Sequence, residues 1–273
     1  MSAYTAVPAA VDGLDAAVIA GALPQAACTQ LHALSISQVT VSTQLDALSA
    51  TMPTHGCAVF FAEHQTGGVG RNGRSWASPP SANLYFSVSR AFLRRLPDMA
   101  GLSLVVGISM AEALHGLGFV AVRLKWPNDL LVDGRKLGGI LVQLRNAPPG
   151  SQAVVGIGLN VRMPADAAQS IDQPWCDLSQ LDPRKVARND VAAAVLAGLL
   201  PALQAFDEDG LAPFHARWQA LDALQGRAVR VLDGARQFDG ECLGIDNQGA
   251  LRLRSASGEL RNFYGGEVSL RQA

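Results

Sequence analysis

Apolar residues change period along this chain, and the changes mark its elements. Residues 1 to about 35 are alanine-rich and predict one or two short helices. A strand-like pattern follows from Ile36 to Val41, then Ser42-Thr43-Gln44 at a strand end, where Ser42 or Thr43 suits a helix N-cap. Continuous apolar runs predict buried strands at 57–63, 83–89 and 153–161. Pro97 opens an apolar helix that runs to about Leu117 and stops at Gly118. Val122 to Trp126 predicts a strand stopped by Pro127. Leu130-Leu131-Val132 and Lys136 to Leu144 flank the turn pair Asp133-Gly134, which predicts a hairpin. Residues 162–185 read as loop. Helices are expected at about 189–208 and 211–223, separated by Gly210.

Beyond Gln225-Gly226 the texture becomes short strands and turns over about 48 residues, as in a five-stranded small β-barrel. The expected organisation is an N-terminal helical extension (1–35), a mixed-sheet α+β domain (36–224) and a small SH3-like β-barrel (225–273).

Composition narrows the function classes. The chain has 273 residues, 22 Lys+Arg against 23 Asp+Glu, and a net charge of −1, so no broad basic nucleic-acid surface is indicated. Apolar runs are interrupted before about 20 residues, so no membrane span is expected. The N-terminus lacks the basic start of a signal peptide. Cys28, Cys57, Cys176 and Cys242 form no Cys-x-x-Cys pair, which suits a reducing cytosol, and the five histidines form no ligand cluster.

Candidate chemistry concentrates in Gly67 to Trp76, where four glycines and two arginines fall within ten residues directly after an apolar strand. Glycines let backbone amides approach an anion, and arginines add forked donors. Alone, such a loop is equally well a solvated surface turn. Gly68-x-Gly70-x-x-Gly73 matches a dinucleotide fingerprint as text, but Pro79-Pro80 and the arginines do not open a helix. No Walker pattern is present.

Four elements in order carry a more specific signal: Ser42-Thr43-Gln44, Gln65 to Trp76, Lys125-Trp126-Pro127-Asn128-Asp129, and Arg135-Lys136-Leu137-Gly138-Gly139-Ile140. With Gly156-Ile157-Gly158-Leu159-Asn160 and the C-terminal run Gly265 to Arg271, they resemble the biotin–protein ligase family over about residues 38–273, in the monofunctional type without a DNA-binding domain. The resemblance implies ATP, biotin and Mg²⁺, a biotinoyl-adenylate intermediate, and transfer to a lysine of the biotin carboxyl carrier protein of acetyl-CoA carboxylase in the cytoplasm. Lys136 and Arg71 would be catalytic. On spacing alone Lys136 is a solvated hairpin lysine, and the resemblance reverses that. Ser42, Thr43, Gln44, Gln65, Gly68, Val69, Gly70, Arg71, Lys136 and Gly139 would hold biotin. Arg71, Arg74, Trp76, Lys125, Asn128, Asn160 and Arg271 would hold ATP. Asp129 would orient Lys136 or bind the metal, with a turn aspartate almost as good a reading. Trp126 reads as core.

Two departures stand out. Val41 and Gln44 replace the family's usual Asp and Asn in the first element, and Val69 stands where many relatives have arginine. The rival readings are a lipoyl or octanoyl transferase and a ligase that also represses transcription. Arg and Lys are absent before residue 71, so the N-terminal segment has no electrostatic footprint for DNA. An edge strand could dock the acceptor or a second copy.

Overall fold

The computed structural model describes residues 12–167, 171–182, 187–265 and 269–272, the last four as backbone only. Two short helices, α1 (Ala16–Gly21) and α2 (Gln25–Cys28), lead into β1 (Leu31–Ser37). Then come α3 (Thr43–Ser49), β2 (Cys57–Ala62), β3 (Leu84–Phe92), α4 (Leu102–Gly116), β4 (Arg123–Lys125), β5 (Asp129–Val132), β6 (Arg135–Ala147) and β7 (Gly150–Leu159). Helices α5 (Leu178–Leu181), α6 (Arg188–Asp209) and α7 (His215–Leu221) precede β8 (Ala228–Asp233), β9 (Arg236–Ile245), β10 (Leu251–Arg254), β11 (Leu260–Phe263) and β12 (Ser269–Gln272).

Seven strands form one mixed sheet in the order β1-β2-β3-β7-β6-β5-β4, with only β1 and β2 parallel. The five C-terminal strands form a second, antiparallel sheet in the order β11-β10-β9-β8-β12. The expected α+β class with a small C-terminal β unit is the one observed.

Two details differ from expectation. The first strand is 31–37 rather than 36–41, so the expected boundary at residue 35 falls inside β1. Pairing with β2 overrides the helical bias of the alanine-rich stretch. The helix expected from Pro97 is a single 3₁₀ turn, Leu96–Met99, followed by α4. Gly101 separates them at φ 89°, a left-handed conformation that ends one helix and starts the next. The tight turn between β5 and β6 is as expected, with Asp133 at φ 50° and Gly134 at φ 75°.

The main sheet has two unlike faces. Val59 and Phe61 of β2, Phe86 and Val88 of β3, and Val155 and Ile157 of β7 point into the core, where α4 and α6 pack. Alternation puts Tyr85, Ser87, Gly156 and Gly158 on the other face, against which α3 packs. The segment Leu96–Gly116 and α6 are long and apolar enough to cross a membrane by length and composition, yet most of their residues are buried within the fold. Helix α4 is apolar all round because it lies between the sheet and α6. Gly107 faces Leu124 and Ile140, and Gly198 of α6 faces the Ser109 carbonyl.

One buried ion pair ties the ends of the core together. The Arg188 guanidinium, in the first turn of α6, lies 2.8 Å from the Glu63 carboxylate just after β2. It also donates to the Asp12 and Asn83 carbonyls, while Glu63 accepts the Leu14 N–H at 2.6 Å. A cation at a helix N-terminus opposes the helix dipole, and the Glu63 carboxylate offsets that. Glu63→Ala leaves Arg188 buried beside a weaker partner. The expected loss is about 3 kcal/mol in denaturant unfolding, because a broken buried pair strands a charge. Glu63→Gln, which keeps an acceptor, should lose less.

Candidate active site

The site is built on the face of the sheet away from α4 and α6, and glycine makes it. Gly139 of β6 pairs with Gly158 of β7, and Gly156 lies one step along the same face. These three positions leave bare backbone where side chains would stand. A Cβ on Gly158 would lie 2.3 Å from Cε2 of Trp76, so the indole rests directly on the strand. Trp76 was expected to pack adenine; in the structure its ring covers this floor, with the Lys136 ammonium 5.5 Å from the ring centroid.

A β-bulge aims Lys136. Leu130 pairs with Gly138 but Leu131 pairs with Lys136, so Leu137 is an extra residue in β6. Leu137 drops into the core, fully buried. Without the bulge, Lys136 would share the core face with Gly138 and Ile140. With it, the Lys136 side chain runs over Gly139, its ammonium 3.5 Å from where a Cβ there would be. The Lys136 backbone is held on both sides by hydrogen bonds to Pro174 O and from Cys176 N–H. Asn160, expected near the phosphates, is buried beneath it and donates to the Cys176 carbonyl at 3.0 Å.

Asp129 organises the cations. One carboxylate oxygen lies 2.8 Å from the Lys136 ammonium and the other 3.9 Å from that of Lys125. Of the two roles open for Asp129, orienting Lys136 is the one this geometry serves. Among the described residues no three His, Cys, Asp or Glu side chains converge as a metal cage.

The Gly67–Trp76 segment is a folded finger over this centre. Gly70 N–H bonds to Arg74 O at 2.7 Å and Trp76 N–H to Gly68 O at 2.9 Å. The Gly70 amide, expected to face an anion, is therefore engaged within the finger. Gly68 cannot carry a side chain, since a Cβ would lie 2.8–2.9 Å from Ser78, Gln65 and Trp76. The tip turns at Asn72 and Gly73, both at positive φ. Arg71 reaches back to donate to Asn128 Oδ1 at 3.1 Å, and Asn128 is itself fixed by donating to Ile140 O at 2.7 Å. Burial holds the Arg71 guanidinium below its ordinary value, opposed by Asp129. A partly desolvated cation of this kind gains from an anionic ligand. Val69 and Arg74 are exposed on the finger.

The far wall is a chain of polar side chains. Ser42 caps α3, accepting the Gln44 N–H. Gln65 Oε1 accepts from Thr43 N–H at 3.0 Å, and Gln65 Nε2 donates to Ser78 Oγ at 2.9 Å. Thr43 Oγ1 lies 2.9 Å from Ser87 Oγ, which donates to Gln44 Oε1 at 3.1 Å. Gly139 of the floor was among the expected site residues; sequence reasoning missed Ser78, Ser87 and the floor glycines Gly156 and Gly158. The signal for Ser87 was present: Tyr85, Ser87 and Ser89 alternate with Leu84, Phe86 and Val88 in a buried strand, a polar stripe on one face.

The finger, the lysine hairpin and the polar wall converge; Arg271 lies in β12 opposite Arg230, with its side chain outside what the structure describes. Trp126 is core, as expected, and its indole N–H donates to the Gly249 carbonyl at 3.0 Å, joining the sheet to the C-terminal unit.

A rigid floor, clustered cations and a covering finger define a site for anionic ligands, and similarity to known proteins agrees. The chain belongs to the biotin/lipoate A/B protein ligase family, whose model matches residues 37–160, and a biotin protein ligase C-terminal domain model matches residues 225–271. The biotin–[acetyl-CoA-carboxylase] ligase of Paracoccus denitrificans is 33% identical over 83% of this chain and 98% of its own length. The bifunctional ligase/repressor BirA of Escherichia coli is 42% identical over 78% of this chain, which spans 66% of that relative's length. The structure of the Aquifex aeolicus biotin protein ligase in complex with biotin and ATP superposes with a TM-score of 0.75 at 27% identity, over 89% of this chain and all of that one.

Gly158→Ala should evict Trp76 from the floor. Acrylamide quenching of indole fluorescence should rise in that variant, and the increment should vanish when Trp76→Phe is added. Equal quenching with and without Gly158→Ala would contradict the packing described.

Proposed function

We propose that this chain is an ATP-dependent biotin–protein ligase that forms biotinoyl-5′-adenylate and passes the acyl group to a lysine of a biotin carboxyl carrier protein. The observation that carries the reading is the Lys136 ammonium, held 2.8 Å from Asp129 beside a glycine floor and under the Arg71 finger. Biotin would lie beside the Trp76 ring along the floor, with its carboxylate at Lys136 and its ureido ring toward Thr43 and Gln65. ATP would lie toward Lys125, Asn128 and Arg71.

In the first step a biotin carboxylate oxygen forms a bond to the α-phosphorus while the bond to pyrophosphate breaks. Two anions meet there, and Lys136 and Arg71 lower the cost by neutralising the charge that builds on the phosphoryl oxygens. Mg²⁺ would arrive on the nucleotide phosphates and supply further charge neutralisation; Asp129 is already engaged by two lysines. The finger excludes water from the mixed anhydride. In the second step the acceptor amine attacks the acyl carbon and AMP leaves, driven by proximity and the activated acyl group.

The biotin-type C-terminal domain match and the biotin ligases among the relatives support biotin over lipoate within a family that includes both. The models matched at 37–160 and 225–271 are ligase models, which supports ligation over repression as the activity of these residues. Four free cysteines suit a reducing cytosol. Strand β5 pairs β6 only from Arg135 to Gly139, so residues 141–147 of β6 extend past it as a sheet edge that could align an extended segment of the acceptor or a second copy.

Pyrophosphate release should require biotin and Mg·ATP together. Lys136→Ala should lower it at least about 100-fold, the order expected for losing one charge-stabilising donor. Release driven by lipoate and not by biotin would overturn the assignment. Arg71→Ala should separate the half-reactions, with adenylate appearing free in solution in a filter assay while wild type retains it.

A further inference from the structure

We infer that Gln44, clamped to Gln143, is the end wall of the acyl-ligand groove and sets how far a ligand extends along the sheet. The inference rests on the biotin reading above. It deepens that reading by naming the residue pair that limits substrate size.

The groove has a direction. Its floor runs along β6 and β7 from the Gly139/Gly158 pair, where the Lys136 ammonium lies, to the Leu141/Gly156 pair and then the Gln143/Val154 pair. Each pair is two residues along the strands from the one before, about 7 Å. A ligand anchored by its carboxylate at Lys136 therefore points its far end at Gly156. Gly156 does not leave that place open. A Cβ there would lie 2.5 Å from Gln44 Oε1, so the Gln44 amide occupies the position the missing side chain vacates.

The amide is locked in place. Its Oε1 accepts from Ser87 Oγ, and its Nε2 donates to Gln143 Oε1 at 2.8 Å and to Val154 O at 3.2 Å. Both amide hydrogens are engaged with protein, which suits a partition better than the biotin-binding role expected for Gln44. Gln44 is 4% exposed, although it sits beside a groove.

Space lies on the other side. A cleft of about 160 Å³, lined by Leu48, Met52, Gln143, Arg145, Gln152 and Val154, opens immediately beyond the clamp. Gln143 and Val154 belong to both structures: they hold Gln44 and they line the cleft. Gln44 and Gln143 therefore stand between the Gly156 position and the cleft.

The test compares biotin with a biotin bearing a three-carbon alkyl chain on a ureido nitrogen, by kcat/KM for pyrophosphate release. Wild type should strongly prefer biotin. Gln44→Ala should raise the ratio of alkylated substrate to biotin at least about 10-fold. Adding Met52→Trp, which fills the cleft from its far side, should reverse that gain, while Met52→Trp alone leaves biotin turnover unchanged. Gln44→Asn, one methylene shorter, should show a smaller gain and serves where Gln44→Ala does not fold. A ratio unmoved in both Gln44 variants while biotin turnover persists overturns the wall. So does a gain that Met52→Trp leaves intact. Wild-type enzyme that turns over no biotin sinks the ligase reading itself, and the wall with it.

Discussion

The Asp129 carboxylate holds two lysine ammonium groups on one side of a glycine floor, and the site depends on that arrangement. One negative charge sits among Lys125, Lys136 and the nearby Arg71. The cluster is left with an excess of positive charge, partly screened from water. Such a cluster binds anions because they relieve repulsion and replace lost solvation. The carboxylate also limits the freedom of Lys136, so little ordering remains to be done when a ligand arrives.

The sheet makes this possible by being different on its two faces. One face carries branched and aromatic side chains into a core shared with α4 and α6, and that burial is what stabilises the fold. The other face is released from the need to fill a core. It carries glycine and serine instead, and the Trp76 ring and the Gln44 amide lie directly against the backbone there. Stability and function are therefore separated by the period-2 alternation of single strands, β3 and β7 above all.

Polar side chains connect the parts of the site without leaving it loose. Gln65 joins Thr43 to Ser78 beside the finger, and Ser87 joins Thr43 to Gln44. Each member orients the next, so the wall facing the groove is preorganised. The finger is held at its root by its own backbone bonds and at its tip by Arg71 on Asn128.

Much of this was legible in the residues alone. The Gly/Arg segment, the Lys125–Asp129 run and the hairpin with Lys136 carried the resemblance to the ligase family. Periodicity located the buried strands and the two long helices, because burial demands apolar residues at fixed intervals. What the chain order could not show was direction. Lys136 faces the site because Leu137 bulges out of register, and a bulge depends on how β5 and β6 pair. Strand β1 exists because β2 lies beside it, against the helical leaning of its own residues. Gln44 and Asn160 read as ligand contacts along the chain but are engaged by partners far away in sequence. Residue types and their spacing are local properties and determine which chemistry is available. Register, facing and hydrogen-bond partners are set by non-local pairing, and only the tertiary structure decides them.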